Sequence, residues 1–134
     1  MLTNITPYDD LLSEAKEIQS YCEITPGDNP QEIAERITSL GVYIARTGKM
    51  LADAKYHLNK KMRDDTLQLI EQVIEDKKLS AKVQNALIDS ICRQERYLVD
   101  WIERLNRAAT HQQDALRSIL SYEKENMRIS KTGY

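Results

Sequence analysis

The sequence predicts an all-α protein: a long antiparallel helical hairpin with a shorter N-terminal helix packed on it, a three- to four-helix bundle. Three observations carry this reading. Glycine and proline number four and three in 134 residues, so the chain has few places to turn. Aromatic residues make up 6%, with no Phe, which disfavours a sheet sandwich rich in turns, β-branched and aromatic residues. From Asn29 to Leu58, apolar residues recur in alternating steps of four and three, the period of one helix face. The length suits one domain, 1–134, with helices expected over 7–22, 30–76 and 81–127 and a frayed tail over 128–134.

The first helix starts at Thr6-Pro7. The Thr hydroxyl suits a cap, proline tolerates the first helical position, and Asp9 and Asp10 suit the positive end of the dipole. Tyr8, Leu11, Leu12, Ala15, Ile18 and Cys22 form its apolar stripe. At about four turns it is too short to stand alone and must dock. The segment Glu23–Asp28 contains Pro26 and Gly27 and ends this helix. Asn29-Pro30 repeats the start signal, with Glu32 in the first turn.

The second helix organises the rest. Its bulky row is Ile33, Ile37, Leu40, Ile44, Thr47, Leu51, Ala54 and Leu58. About 120° round the helix runs a row of small residues: Ala34, Thr38, Gly41, Ala45, Gly48 and Ala52. Each mid-helix glycine costs roughly 1 kcal/mol against alanine. Gly41, Ala45, Gly48 and Ala52 therefore read as a packing groove for close approach of another helix. Ile37, Leu40, Ile44 and Leu51, with Leu98, Trp101 and Leu105 further on, read as core or assembly residues. The polar arc is Glu35, Ser39, Arg46, Lys49, Asp53 and Lys60.

After Leu58 the apolar phase slips to Met62, Leu69, Ile70, Val73 and Ile74, which predicts a stutter or a kink near 63–65. Lys77 to Ser80 is the next turn, with Ser80 as cap. From Ala81 to Met127 there is no Gly or Pro, and Asn106–Gln113 is the one candidate break. Folding back at 77–80 sets Gly48 opposite Ala108 and Ala109, and Ala45 opposite Gln112. A hairpin this long leaves apolar stripe beyond the reach of the first helix, so a homodimer or higher oligomer is expected.

The formal charge of −2 gives no global attraction to nucleic acid or anionic lipid. Cys22 and Cys92 form no CxxC and read as thiols of a reducing compartment. No apolar run approaches membrane-spanning length. The first residues, with Asn4, Asp9 and Asp10, lack a signal-peptide pattern, so a cytoplasmic protein is expected.

Catalytic patterns fail one by one, so no enzyme and no cofactor is expected. Gly48-Lys49 lacks the upstream glycine spacing and the Ser/Thr of a phosphate loop, since Met50 follows. No Cys/His pair has zinc spacing, and neither His57 nor His111 follows a Glu by three. Glu32/Glu35 and Glu14/Glu17 supply half of a helical nucleotide pyrophosphohydrolase pattern, but no Glu-x-x-Asp completes it. Asp53 and His57, four apart, read as a surface pair. Lys82, Arg93, Arg96, Arg104 and Arg107 form a strip able to track phosphates. Asp89, Asp100 and Asp114 on the same strip favour local neutralisation instead.

Two segments, Ile44–Lys55 and Leu116–Glu125, resemble small helical proteins encoded by phages and prophages, often beside replication or recombination genes. The likeness spans about half the chain and assigns no catalytic residues. It implies a phage-type protein inside the cell. The expected role is a non-catalytic structural or adaptor protein acting through helix–helix assembly with itself, or with a phage or host protein. The alternative is an accessory factor in phage DNA replication or recombination that binds nucleic acid or a protein of those processes.

Overall fold

The computed structural model describes residues 4–66, 68, 71 and 80–132. Among these are four α-helices: α1 (Tyr8–Cys22), α2 (Pro30–Lys61), α3 (Ala81–Ile91) and α4 (Arg93–Thr132). Helices α2 and α4 form the hairpin, and α1 packs on both. Arg36 meets Gln112, Thr47 meets Asn106 and Lys61 meets Glu95, so the two long helices run antiparallel. The register differs from the expected one: Gln112 lies beside Arg36, not Ala45.

The start signals act much as read, with one shift. The Asn29 side chain accepts from the Glu32 amide at 2.9 Å, and Pro30 takes the first helical position. The Ser80 hydroxyl accepts from the Val83 amide at 3.3 Å and opens α3. For α1, Pro7 itself is the cap residue, and the Thr6 hydroxyl accepts from Arg46 Nη2 at 3.0 Å instead of from the helix.

The phase slip after Leu58 appears as a π-helical turn over Met62–Thr66, at the expected kink. A wide turn adds a residue without breaking the hydrogen-bond ladder, which is how one face is exchanged for the next. Of the expected helix 30–76, residues 67, 69–70 and 72–76 lie outside the described residues, as do 77–79 of the expected turn.

The expected continuous helix 81–127 is interrupted once, at Cys92 and not at Asn106–Gln113. Cys92 has φ −95° and ψ 14°, between helical and bridge geometry, while its amide still donates to the Ile88 carbonyl at 3.0 Å. Asp89, Ser90 and Cys92 are weak helix formers, and the Cys92 side chain is fully buried at the joint. Beyond it α4 runs unbroken to Thr132, so most of the expected tail is helical.

The core has two parts. Leu11, Ala15 and Ile18 of α1 meet Met50 and Ala54 of α2 and Leu98, Ile102 and Leu105 of α4. Trp101 and Leu51 flank this cluster, and the Trp101 indole N–H donates to Gln19 Oε1 at 3.0 Å. The second cluster, Ile33, Leu40, Ala109 and Leu116, lies farther along the hairpin, with Ile37, Ile44 and Leu120 packed around it half-buried.

Polar residues brace the hairpin at the candidate break Asn106–Gln113. Asn106 Nδ2 donates to the Ile44 carbonyl at 3.0 Å and to Thr47 Oγ1 at 2.9 Å. Gln113 Nε2 donates to the Ile37 carbonyl at 3.0 Å, and Gln112 Nε2 to the Cys22 carbonyl at 2.8 Å. These side chains satisfy carbonyls of the neighbouring elements, so helix α4 keeps its course through them.

Candidate interaction surfaces

Among the described residues, no helix packs on the Ala45–Ala52 part of the small-residue row of α2. Ala45, Gly48 and Ala52 are exposed, and a Cβ built on Gly48 meets nothing within 4 Å. Gly41 is half-buried; its Cβ would sit 3.3 Å from Gln113 Nε2. Among the described residues α4 packs on the bulky side of α2 and approaches the small row at Gly41, while Ala45, Gly48 and Ala52 stay exposed. Val42 beside the row is 65% exposed. Ile37, Ile44 and Leu51, half-buried, join the row to the core side. Leu40, Leu98 and Leu105 are buried.

Beside this face, part of the polar arc is not solvated. Asp53 is 3% exposed and accepts from the Lys49 ammonium and, at 3.1 Å, from the Thr6 amide. Lys49 Nζ also donates to the Asn4 carbonyl at 2.9 Å, and His57 Nε2 lies 2.7 Å from the Thr6 carbonyl. Lys49, Asp53 and His57 stand four residues apart on one helix face. Together they grip three main-chain groups of Asn4–Thr6. Arg46 forms a bidentate pair with Glu14 of α1. The expected surface pair Asp53–His57 is therefore part of a clasp, with Asp53 buried and His57 half-buried, that fixes the N-terminal segment to α2. Burial pushes the Asp53 carboxyl up, but the Lys49 and Thr6 donors outweigh it and hold it below the ordinary carboxylate range.

A second clasp closes the other end of α1. Arg36, 8% exposed, donates through Nη2 to the Tyr21 and Ile24 carbonyls at 2.9 Å and stacks 4.0 Å over the Tyr21 ring. The guanidinium thereby meets the carbonyl end of α1, where a cation suits the helix dipole. Sequence periodicity gave no sign of either clasp, because Arg and Asp read as solvent-facing residues.

The strip Lys82, Arg93, Arg96, Arg104 and Arg107 lies exposed along α3 and α4. Arg96 pairs with Asp89 at 3.0 Å and Arg107 with Glu103 at 3.1 Å. Asp100, Glu103, Arg104 and Arg107 line one shallow cavity, so the surface there is of mixed sign. Tyr97 is 65% exposed on the same helix.

Glu14 is committed to Arg46, and Glu35 accepts from Gln31 at 3.4 Å. Among the described residues no group of three His, Cys, Asp or Glu side chains is placed to hold a metal ion. Neither Cys22 nor Cys92 is in a disulfide. Burial raises the Cys22 thiol, Arg36 lowers it and Glu23 raises it, leaving it above the usual thiol range. No helix of the described residues is long and apolar enough to cross a membrane. Comparison of the chain with family models, with curated proteins and with solved structures finds no match.

Proposed function

We propose that this chain is a non-catalytic, cytoplasmic structural or adaptor protein of the phage or prophage kind, working through helix–helix assembly. A second copy packs on the α2 face of Gly41, Ala45, Gly48 and Ala52. The observation that supports this reading is the open space over Gly48. Gly48 weakens the middle of α2 while no other side chain among the described residues is set against it. The small row runs from Ala34 to Ala52, about 27 Å of helix, beside exposed Val42 and half-buried Ile37 and Ile44. Removing Cβ bulk from such a face lets two helix backbones approach closely, which increases dispersion contact along the whole seam.

Light scattering of the purified chain tests the reading. The native chain is expected to self-associate at tens of micromolar. Gly48→Leu with Ala52→Leu is expected to be monomeric with an unchanged helical spectrum. A native monomer at those concentrations contradicts it.

The second reading, direct contact with nucleic acid through the arginine strip, draws on the exposure of Tyr97 beside Arg93 and Arg96. The Asp89–Arg96 and Glu103–Arg107 pairs weigh against it. A salt-titrated binding assay with single- and double-stranded DNA separates the two. Loss of binding on changing Arg93, Arg96, Arg104 and Arg107 to Glu would favour this second reading.

A further inference from the structure

We propose that the outer face of α4 around Tyr97 and Trp101 docks an extended acidic segment of a partner protein, anchored by one aromatic residue. Arg93, Tyr97, Trp101 and Arg104 follow one another along the helix within about 80° of its circumference. The core residues Ile102 and Ala109 lie about 120–140° round the helix from Tyr97, so this face looks away from the bundle. Tyr97 is largely exposed, and its ring centroid lies 6.1 Å from that of half-buried Trp101, with the planes at 48°. The bond from the indole N–H to Gln19 of α1 holds Trp101 in place, so this part of the ledge is set before any partner arrives. Tyrosine, tryptophan and arginine are the side chains that carry most binding energy at protein interfaces.

The charge around the ledge decides the occupant. Among the described residues neither Arg93 nor Arg104 has an ion pair, whereas Arg96 and Arg107 of the same helix do. The two unpaired cations stand eleven residues apart, about 16 Å along the axis, with the aromatic pair between them. An extended peptide advances about 3.3 Å per residue, so acids five residues apart meet both arginines. A side chain midway between those acids reaches Tyr97 and Trp101. A nucleic-acid strand suits the face less well. Asp100 stands between the two arginines in sequence and lines a shallow cavity with Glu103, Arg104 and Arg107. Phosphates repeat along a whole strand and would pass these carboxylates, while a peptide can carry charge only where the cations are. Exposed arginines add little affinity each, but they discriminate against a cationic partner.

The proposal stands on a different surface from the small-residue face of α2 and does not rest on self-association. The test uses labelled Gly/Ser peptides that carry two Glu five residues apart with one Phe midway. One control has Lys for both Glu, and another has Ala for Phe. Each is titrated by fluorescence anisotropy against the full chain. The Glu/Phe peptide is expected to bind at tens of micromolar, about tenfold more tightly than the Lys control. Arg93→Glu with Arg104→Glu is expected to reverse that order with an unchanged helical spectrum. Tyr97→Ala is expected to abolish the preference for Phe over Ala without changing the melting temperature. Gly48→Leu with Ala52→Leu is expected to leave all these affinities as they are. Failure of the Glu/Phe peptide to bind, equal affinity for the Glu and Lys peptides, or an unreversed order in the double arginine variant overturns the proposal. So does binding of oligothymidylate or phosphatidylserine vesicles with no binding of the Glu/Phe peptide.

Discussion

Asp53 keeps its charge while almost wholly buried, because Lys49 and the Thr6 amide donate to it. A carboxyl whose folded pKa lies below its unfolded value near 3.9 stabilises the fold above that value. The stabilisation is lost as pH falls through the folded pKa. Denaturant melts between pH 6 and pH 2 are therefore expected to show the native chain losing more stability than Asp53→Asn. At pH 7 the variant is expected to be weaker by about 1–3 kcal/mol, the cost of a broken buried charge-assisted bond. Parallel pH profiles for the two chains would contradict the clasp. Asn106 acts in the same way without charge. Its amide serves two acceptors at once, the Ile44 carbonyl and the Thr47 hydroxyl. Asn106→Ala is expected to cost about 1–2 kcal/mol in a denaturant melt, and an unchanged midpoint would remove its bracing role.

At the scale of elements, the glycines of α2 separate by what surrounds them. Gly48→Ala adds a methyl into open space and removes a flexible residue from a helix interior. It is expected to stabilise the protomer by about 0.5–1 kcal/mol, read as a higher melting temperature at dilute concentration. Gly41→Ala pushes on Gln113 Nε2, which is tied to the Ile37 carbonyl, and is expected to gain less or to lose stability. Equal gains at both positions would show that Gln113 gives way freely. These helices were legible because their caps and periods are local signals: Asn29-Pro30, Ser80, the bulky row of α2 and the slip after Leu58. What misled was polarity. Asn106, Gln112 and Gln113 looked like a helix break, but they are satisfied by carbonyls that a single-helix projection cannot place. Arg36 and Asp53 looked solvated for the same reason. The joint at Cys92 carries no proline or glycine to announce it, only three weak helix formers in four residues.

At the scale of the molecule, the described residues of the hairpin show one closed side and two open faces. The bulky row of α2 meets α4, with α1 laid over one part of the seam. The small row faces away, and the far end of α4 runs past the bundle. The presence of a small-residue face was legible from spacing. Its orientation was not, because both rows of α2 are apolar and periodicity alone does not rank them. The bulky row buries more area per residue and so takes the intramolecular partner. On the proposed function, the small row is the face left for contact between copies. The measurement that bears most directly on this is sedimentation equilibrium of the native chain beside Gly48→Leu with Ala52→Leu. A native mass at a multiple of 15.5 kDa, falling to the protomer mass in the variant, is the expected result. A native chain that stays at the protomer mass, or a variant that assembles as the native chain does, would contradict it.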